Sequence, residues 1–343
     1  MKKALALLLA LVMVLGLAAC GGSSEESAAP ESESEYGTYN WTAAMSVSDT
    51  TTNYKMMQRF AELLNEKSGG SITLEVYPSG QLGNTTEFTE AVVAGSVDFG
   101  TGMTTDLVDF VPEMGLFDMP NLFSSVEQMR ALLASDYIDT VNEYCEAAGV
   151  HMLGFSDAGF RQLTTNKRVD SIDDIAGQKI RVMTNNYHIA YWEALGAAAV
   201  PMQFTEVFMG LQQNTIDGEE NPYMNIVGNN FQEVQDYIVE TNHLGHIITF
   251  FMNSELYNSL PDNTKALVDE CAAEAVAYAN EAADESIAAD KQTCIDAGCE
   301  IITLSDEDYA TLQEKGSVVY DLVRADLGDE KVDALLDAIA ALG

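Results

Sequence analysis

The sequence predicts an α/β protein of two lobes. Each lobe is a mixed, mostly parallel sheet flanked by helices, and a long C-terminal helix spans both. Three observations carry this prediction. Strand-like and helix-like segments alternate from residue 39 to about 156, the rhythm of a parallel sheet covered on both faces. The same rhythm restarts after a basic stretch at 160–182, so a second unit follows the first. Finally, residues 262–297 contain neither Gly nor Pro. As one helix they would measure ~54 Å, longer than one small lobe.

The elements follow in order. "YNWTAAMS" (39–46) reads as a strand, and "TNYKMMQRFAELLNEK" as an amphipathic helix with Met56, Met57, Phe60, Leu63 and Leu64 on its apolar face, stopped by Gly69-Gly70. "SITLEVYP" (71–78) alternates Ile72, Leu74 and Val76 against Thr73, Glu75 and Tyr77, as a strand does. A helix over about 85–94, a short strand "VDFGTG" (97–102), helices within 124–148 and a strand "VHMLGFS" (150–156) complete the first rhythm. In the second, "FRQLTTN" and "KIRVM" are strands around a short helix at 171–176. A helix at 185–195, the strand "AAVPM", a helix at 204–213 and the strand "TIDGEENP" follow. Residues 236–253 read as two strands or one long bent one. The expected boundaries are 37–158 for lobe I, completed by about 247–286, and 159–246 for lobe II, completed by about 287–343.

The chain begins with a positive "MKK" and an apolar run closed by small residues, the pattern of a secretory signal over 1–19. That run falls short of the ~20 residues a membrane-spanning helix needs. It ends Leu17-Ala18-Ala19-Cys20, which resembles the lipobox of bacterial lipoproteins, so Cys20 is the expected lipidation site; the alternative is a plain secretory signal with a chance cysteine. "GGSSEESAAPESESE" holds no large apolar residue and reads as a flexible linker over 20–36, tethering an extracytoplasmic body to the outer face of a membrane or leaving it periplasmic. Cys145, Cys271, Cys294 and Cys299 form no CxxC pattern; Cys294 and Cys299 could pair across a turn, or all four are buried thiols.

Asp and Glu number 54 against 16 Lys and Arg, a net charge of −38. Such a chain is repelled by nucleic acid and by anionic bilayers. Against that background, three of the six arginines, Arg161, Arg168 and Arg181, fall within 161–181. Ligands of α/β sheets gather at the carboxyl ends of strands, where Arg161 and Arg181 would lie. An acidic protein that takes up an anion needs a local cationic site, and guanidinium holds a carboxylate through two parallel hydrogen bonds. The bland reading gives Arg168, Lys167 and Lys179 to the surface, paired with Asp170, Asp173 and Asp174, and leaves Arg181 open as a structural ion pair.

"AELLNEKSGGSITLEVYPSGQLGNTTEFTEAVVAGSVDFG", "FVPEMGLFDMPNLF", "FRQLTTNKR", "GQKIRV" and "PMQFTEVFMGLQQNTIDGEENP" occur in that order. Together they resemble the extracytoplasmic solute-binding proteins of TRAP (tripartite ATP-independent periplasmic) transporters, the dicarboxylate- and sialic-acid-binding group, over about 40–305. The resemblance implies a periplasmic-binding-protein-like clamshell that closes on a small organic acid and delivers it to a membrane permease, as a monomer and with no cofactor or metal. It places Arg181 on the substrate carboxylate, with Arg161 assisting, Asn221 at the same end and Phe204 lining the cleft. Ser46, Thr85, Met103 and Thr104 correspond less closely, and Met183 and Tyr223 depart from the family's usual Pro and aliphatic residue. Asn221 could instead cap a helix before Pro222, and Phe204 could be core. Thr184, Asn185 and Asn186 are further polar candidates, with Tyr187 for an aromatic or keto acid. A sugar acid or a short polar carboxylate is favoured by the Thr and Asn residues among the candidates.

An enzyme is the first rival. His243 and His246 in "HLGH" lie near Asp217, Glu219 and Glu220, but no HExxH, GxSxG, P-loop or Cys-His signature is present. The second rival is a clamshell serving a sensor or an ATP-driven importer, which fold alone does not distinguish.

Overall fold

The structure, a computed structural model, describes residues 34–342; the signal, Cys20 and most of the linker expected from the sequence lie outside the described residues. The first sheet contains β1 (Tyr39–Ala44), β2 (Ile72–Tyr77), β3 (Phe99–Met103), β4 (Val150–Phe160) and β10 (Gly245–Asn253), in the order β2-β1-β3-β10-β4. β1 pairs in parallel with β2 and β3, while β10 enters antiparallel between β3 and β4. The second sheet has the order β11-β9-β5-β8-β6-β7, formed by β5 (Gln162–Thr165), β6 (Lys179–Val182), β7 (Ala198–Pro201), β8 (Gly218–Asn221), β9 (Tyr237–Glu240) and β11 (Glu300–Thr303). Here β6 is parallel to both β7 and β8, and β5 runs antiparallel to its two neighbours. Both sheets are thus mixed, as expected, with the antiparallel pairs contributed by strands that enter from the other sheet.

The helices cover these sheets with the faces the sequence assigned. On α1 (Thr52–Lys67) the residues Met56, Met57, Phe60, Leu63 and Leu64 are all buried. Phe60 packs edge-on against Phe250 and Phe99, with ring centroids 4.8 and 5.4 Å apart, a favoured aromatic geometry. α2 (Thr85–Val93), α3 (Val126–Leu133) and α4 (Tyr137–Ala147) follow, then α5 (Asn186–Ala194), α6 (Val207–Gln212), α7 (Tyr223–Gly228) and the short α8 (Ser254–Ser259). The long helix is α9 (Asp262–Ala297), with the bounds its missing Gly and Pro predict. Gly298, at φ +106°, stops it in a left-handed conformation that favours glycine. Leu267, Val268, Cys271, Ala272, Ala275 and Ala279 of α9 pack into the core beneath the first sheet, whereas Cys294 joins the core beneath the second. α10 (Asp306–Leu327) and α11 (Asp329–Ala340), which the sequence reading did not assign as elements, close the fold; α10 places Leu312, Val319 and Val323 in one cluster with Tyr191 and Trp192.

The chain passes between the sheets at three places, through α9 between β10 and β11 and at two adjacent short crossings. Only Arg161 separates β4 from β5, and residues 241–244 separate β9 from β10. The two crossings are tied together: Arg161 N–H donates to Leu244 O at 2.9 Å, and Thr241 Oγ1 donates to Arg161 O at 3.4 Å. Any side chain on these crossings therefore stands where the two sheets meet.

The four described cysteines are free and buried. Burial pushes the thiols of Cys145, Cys271, Cys294 and Cys299 upward, which keeps them protonated and unreactive. Among the described residues no helix is long and apolar enough to cross a membrane.

Candidate functional site

Parallel strands β6, β7 and β8 end on the same side of the second sheet, and their ends deliver Arg181, Met202 and Asn221 to one cavity. The opposite wall comes from the first sheet: Ser46 after β1, Asn53 at the start of α1, Thr85 at the start of α2, and Thr101, Gly102 and Met103 on β3. These walls, with Thr105, Asp106, Thr184, Phe204, Asn225 and His246, surround about 740 Å³ of space between atoms, part of it open to solvent.

Arg161 and Arg181 both line this cavity and both are buried, at 1% and 2% exposure. Arg161 is fully engaged by the protein. Its Nε and Nη2 donate to the carboxylate of Glu220, the latter at 2.9 Å, and Nη2 also reaches Glu220 O. Its Nη1 donates to His246 Nδ1 at 2.8 Å and toward Met103 Sδ at 3.6 Å. His243 Nε2 completes the group, 3.0 Å from Glu220 Oε2. Burial alone would raise the Glu220 carboxyl, but the Arg161 charge and the hydrogen bonds from His243 and Arg161 outweigh it and hold it well below the usual carboxylate range. His243 and His246 are both pushed down, chiefly by burial, and stay neutral near pH 7. The histidines that suggested a metal or catalytic site are thus partners of one buried ion pair, and among the described residues no group of three His, Cys, Asp or Glu is placed to hold a metal.

Arg181 is in the opposite situation. Its Nε and Nη2 donate to a single acceptor, Met202 O, at 2.9 and 2.7 Å, and its Nη1 is buried with no partner among the described residues. The guanidinium lies 5.7 Å from the Phe204 ring centroid, a cation–π distance. Burial lowers its pKa to about 10, so it remains charged at neutral pH.

Asn221 donates Nδ2 to Glu219 Oε2 at 2.5 Å and accepts from Asn225 Nδ2 at 3.0 Å. It is not a helix cap: the cap position of α7 is Pro222, with no side-chain cap bond. Glu219 beside it titrates near 7, raised by burial. Phe204 is part of the cavity wall and also meets Phe231 edge-on at 5.8 Å. Thr85 Oγ1 donates to Ser46 Oγ at 3.0 Å, which brings those two hydroxyls together. Arg168 pairs with Asp170 and Glu300, and Lys167 with Asp217, on the surface.

Eight of the expected residues therefore converge: Arg181, Arg161, Asn221, Phe204, Ser46, Thr85, Met103 and Thr184. Three do not. Thr104 is buried beside the cavity with its hydroxyl unpartnered, and the next residue, Thr105, takes the lining position. Asn185 caps α5, accepting from Tyr187 N at 2.7 Å, and turns its amide to Asp118. Tyr223 packs into the core beneath the second sheet and donates to Glu240 at 3.1 Å; the cavity position on α7 belongs to Asn225.

Asn53, Asp106 and Asn225 were missed. Asn53 carried a legible signal. It stands at i, with Met56, Met57 and Phe60 at i+3, i+4 and i+7, so an amide occupies an apolar helix face. Asp106, one acid among 54, carried none.

Residues 43–326 match the model of the bacterial extracellular solute-binding proteins, family 7. A solute-binding protein of Verminephrobacter eiseniae is 33% identical over 59% of this chain, a match spanning 61% of that protein. The C4-dicarboxylate-binding periplasmic protein DctP of Rhodobacter capsulatus is 30% identical over 86% of this chain and 89% of its own length. The crystal structure of a sugar acid binding protein of Advenella mimigardefordensis in complex with galactonate superposes with a TM-score of 0.86 at 26% identity, covering 89% of this chain and 99% of that one. The chain belongs to family 7, the solute-binding proteins of TRAP transporters, which are extracytoplasmic transport proteins and not enzymes.

Proposed function

We propose that this family 7 solute-binding protein captures a small organic acid by its carboxylate on Arg181 and hands it to the permease of a TRAP transporter. One observation carries the reading. Arg181 is a buried cation on the cavity wall that forms no salt bridge with any carboxylate of the described residues, with Nη1 unpartnered. Leaving a charge desolvated and uncompensated is costly, so such a group persists where a ligand supplies the counter-ion. Asn221 and the ring of Phe204 frame the same end, and Arg161, neutralised by Glu220, stands beside it. The bound relatives give the chemistry: galactonate in one, C4-dicarboxylates in the name of another.

In this reading the two sheets belong to two lobes that close over the acid, hinged at the adjacent crossings around Arg161 and steadied by α9. The lipid on Cys20 and the 20–36 linker keep the monomeric protein beside its permease. The test is thermal unfolding of the full chain with organic acids and their neutral analogues. An acid at 100 times its dissociation constant adds ~2.7 kcal/mol, and Arg181→Ala should erase that shift. Equal shifts from neutral sugars would exclude the carboxylate anchor.

A further inference from the structure

Resting on Arg181 as the carboxylate anchor, we propose that the cavity selects acids with a single carboxylate and several hydroxyl groups, and that Asp106, Asn53 and Asn225 impose this choice. Three acceptors on the cavity wall support this choice, two of them without a donor. Asn53 is 2% exposed and its Nδ2 donates to Thr101 Oγ1 at 3.1 Å, which leaves Oδ1 buried without a donor. Asn225 is likewise 2% exposed; its Nδ2 is spent on Asn221 Oδ1, and its Oδ1 has no donor. The third acceptor is the Asp106 carboxylate, fixed by a 2.7 Å bond from Met103 N–H. Gly102 makes room for it, since a Cβ there would lie 2.5 Å from Asp106 Oδ2. Burial raises this carboxyl to about 6, against the Met103 bond and the charges of Arg181 and Arg161.

A buried acceptor without a donor is unfavourable, and a ligand hydrogen relieves it. A second carboxylate brings no hydrogen at neutral pH. It would also find no cation: Arg161 and Arg181 are the only basic side chains among the described lining residues apart from neutral His246, and Arg161 is consumed by Glu220, His246 and Met103. It would face Asp106, with Asp109 at the rim. The three acceptors stand on separate elements, α1, α7 and the turn after β3. Hydroxyls on successive carbons offer their donors from separate atoms, whereas an ammonium gathers its donors on one atom.

The experiment is calorimetric titration of the full chain in detergent micelles at neutral pH. The probes are galactonate, gluconate and mannonate, against succinate, 6-aminohexanoate and galactitol. At least one aldonate should bind 100-fold or more tightly than succinate or 6-aminohexanoate, and galactitol should not bind. Asp106→Asn should narrow the aldonate-to-succinate ratio by about tenfold. If that variant does not fold, the wild-type ratio decides by itself. Succinate or 6-aminohexanoate matching the best aldonate, or a ratio unmoved by Asp106→Asn, overturns this inference while leaving Arg181 in place. Galactitol binding as tightly as the aldonates, or no acid binding, overturns the Arg181 reading as well.

Discussion

Arg161, on the crossing between the sheets, and Arg181, on β6, reach the same cavity and are buried to nearly the same extent. Their surroundings differ in one respect. Arg161 meets Glu220, which accepts from Nε and Nη2, while His246 takes Nη1. Arg181 donates hydrogen bonds only to the carbonyl of Met202 and otherwise faces the ring of Phe204. The same side chain is thus a completed ion pair at one place and an unneutralised charge at the other. The first belongs to the fold, holding the crossings where the sheets meet; the second is the one proposed to take the anion. Burial and residue type alone do not separate these roles, and the partner list does.

The largest effect should come from breaking the completed pair. Arg161→Ala leaves Glu220 buried beside a neutral histidine, and removing one partner of a buried ion pair typically costs ~3–5 kcal/mol. Denaturant unfolding without ligand measures it. Arg181→Ala removes no ion pair and should cost about 1 kcal/mol or less in the same experiment, since relief of a desolvated charge offsets the lost bonds to Met202. Equal losses for the two variants would make Arg181 structural and erase the contrast.

A pH profile sharpens it further. The Asp106 carboxyl lies at about 6 in the folded protein against 3.8 ordinarily, raised by burial. Between those values the folded protein retains a proton that the unfolded chain has released, so this group lowers stability as pH rises from about 4 to 6. Asp106→Asn should remove that slope. The variant should be more stable than the wild type by up to ~3 kcal/mol at pH 8, with the difference vanishing below about pH 4. A constant difference across that range would mean that Asp106 titrates as an ordinary surface acid. The smallest effect is expected at Tyr223, which lies outside the cavity. Tyr223→Phe removes the bond to Glu240 and should cost about 0.5–1.5 kcal/mol without changing the affinity for any acid. A tenfold change in affinity would return this residue to the site.

Much of this was written in the sequence because it depends on local pattern. The apolar face of α1, the alternation in β2 and the extent of α9 follow from periodicity and from where Gly and Pro are absent, and each was found where expected. The segment order carried the family, and with it Arg181, Asn221 and Phe204. The residues misplaced are those whose side-chain direction depends on a turn. Thr104 and Thr105 are adjacent, yet the short helical turn after β3 aims only the second at the cavity. Tyr223 and Asn225 share one turn of α7 and part in the same way, one to the core and one to the cavity.

By itself, then, the sequence determined the two α/β units, the long helix tying them and the concentration of cationic charge at 161–181. Only the tertiary structure decided which arginine is neutralised. Glu220 and His246 are distant from Arg161 in sequence, and pairing of β5 with β8 and of β4 with β10 brings them together. The acceptors on the wall were settled the same way. Whether Asn53, Asn225 and Asp106 have donors depends on what packs across from them, and neither composition nor periodicity records that.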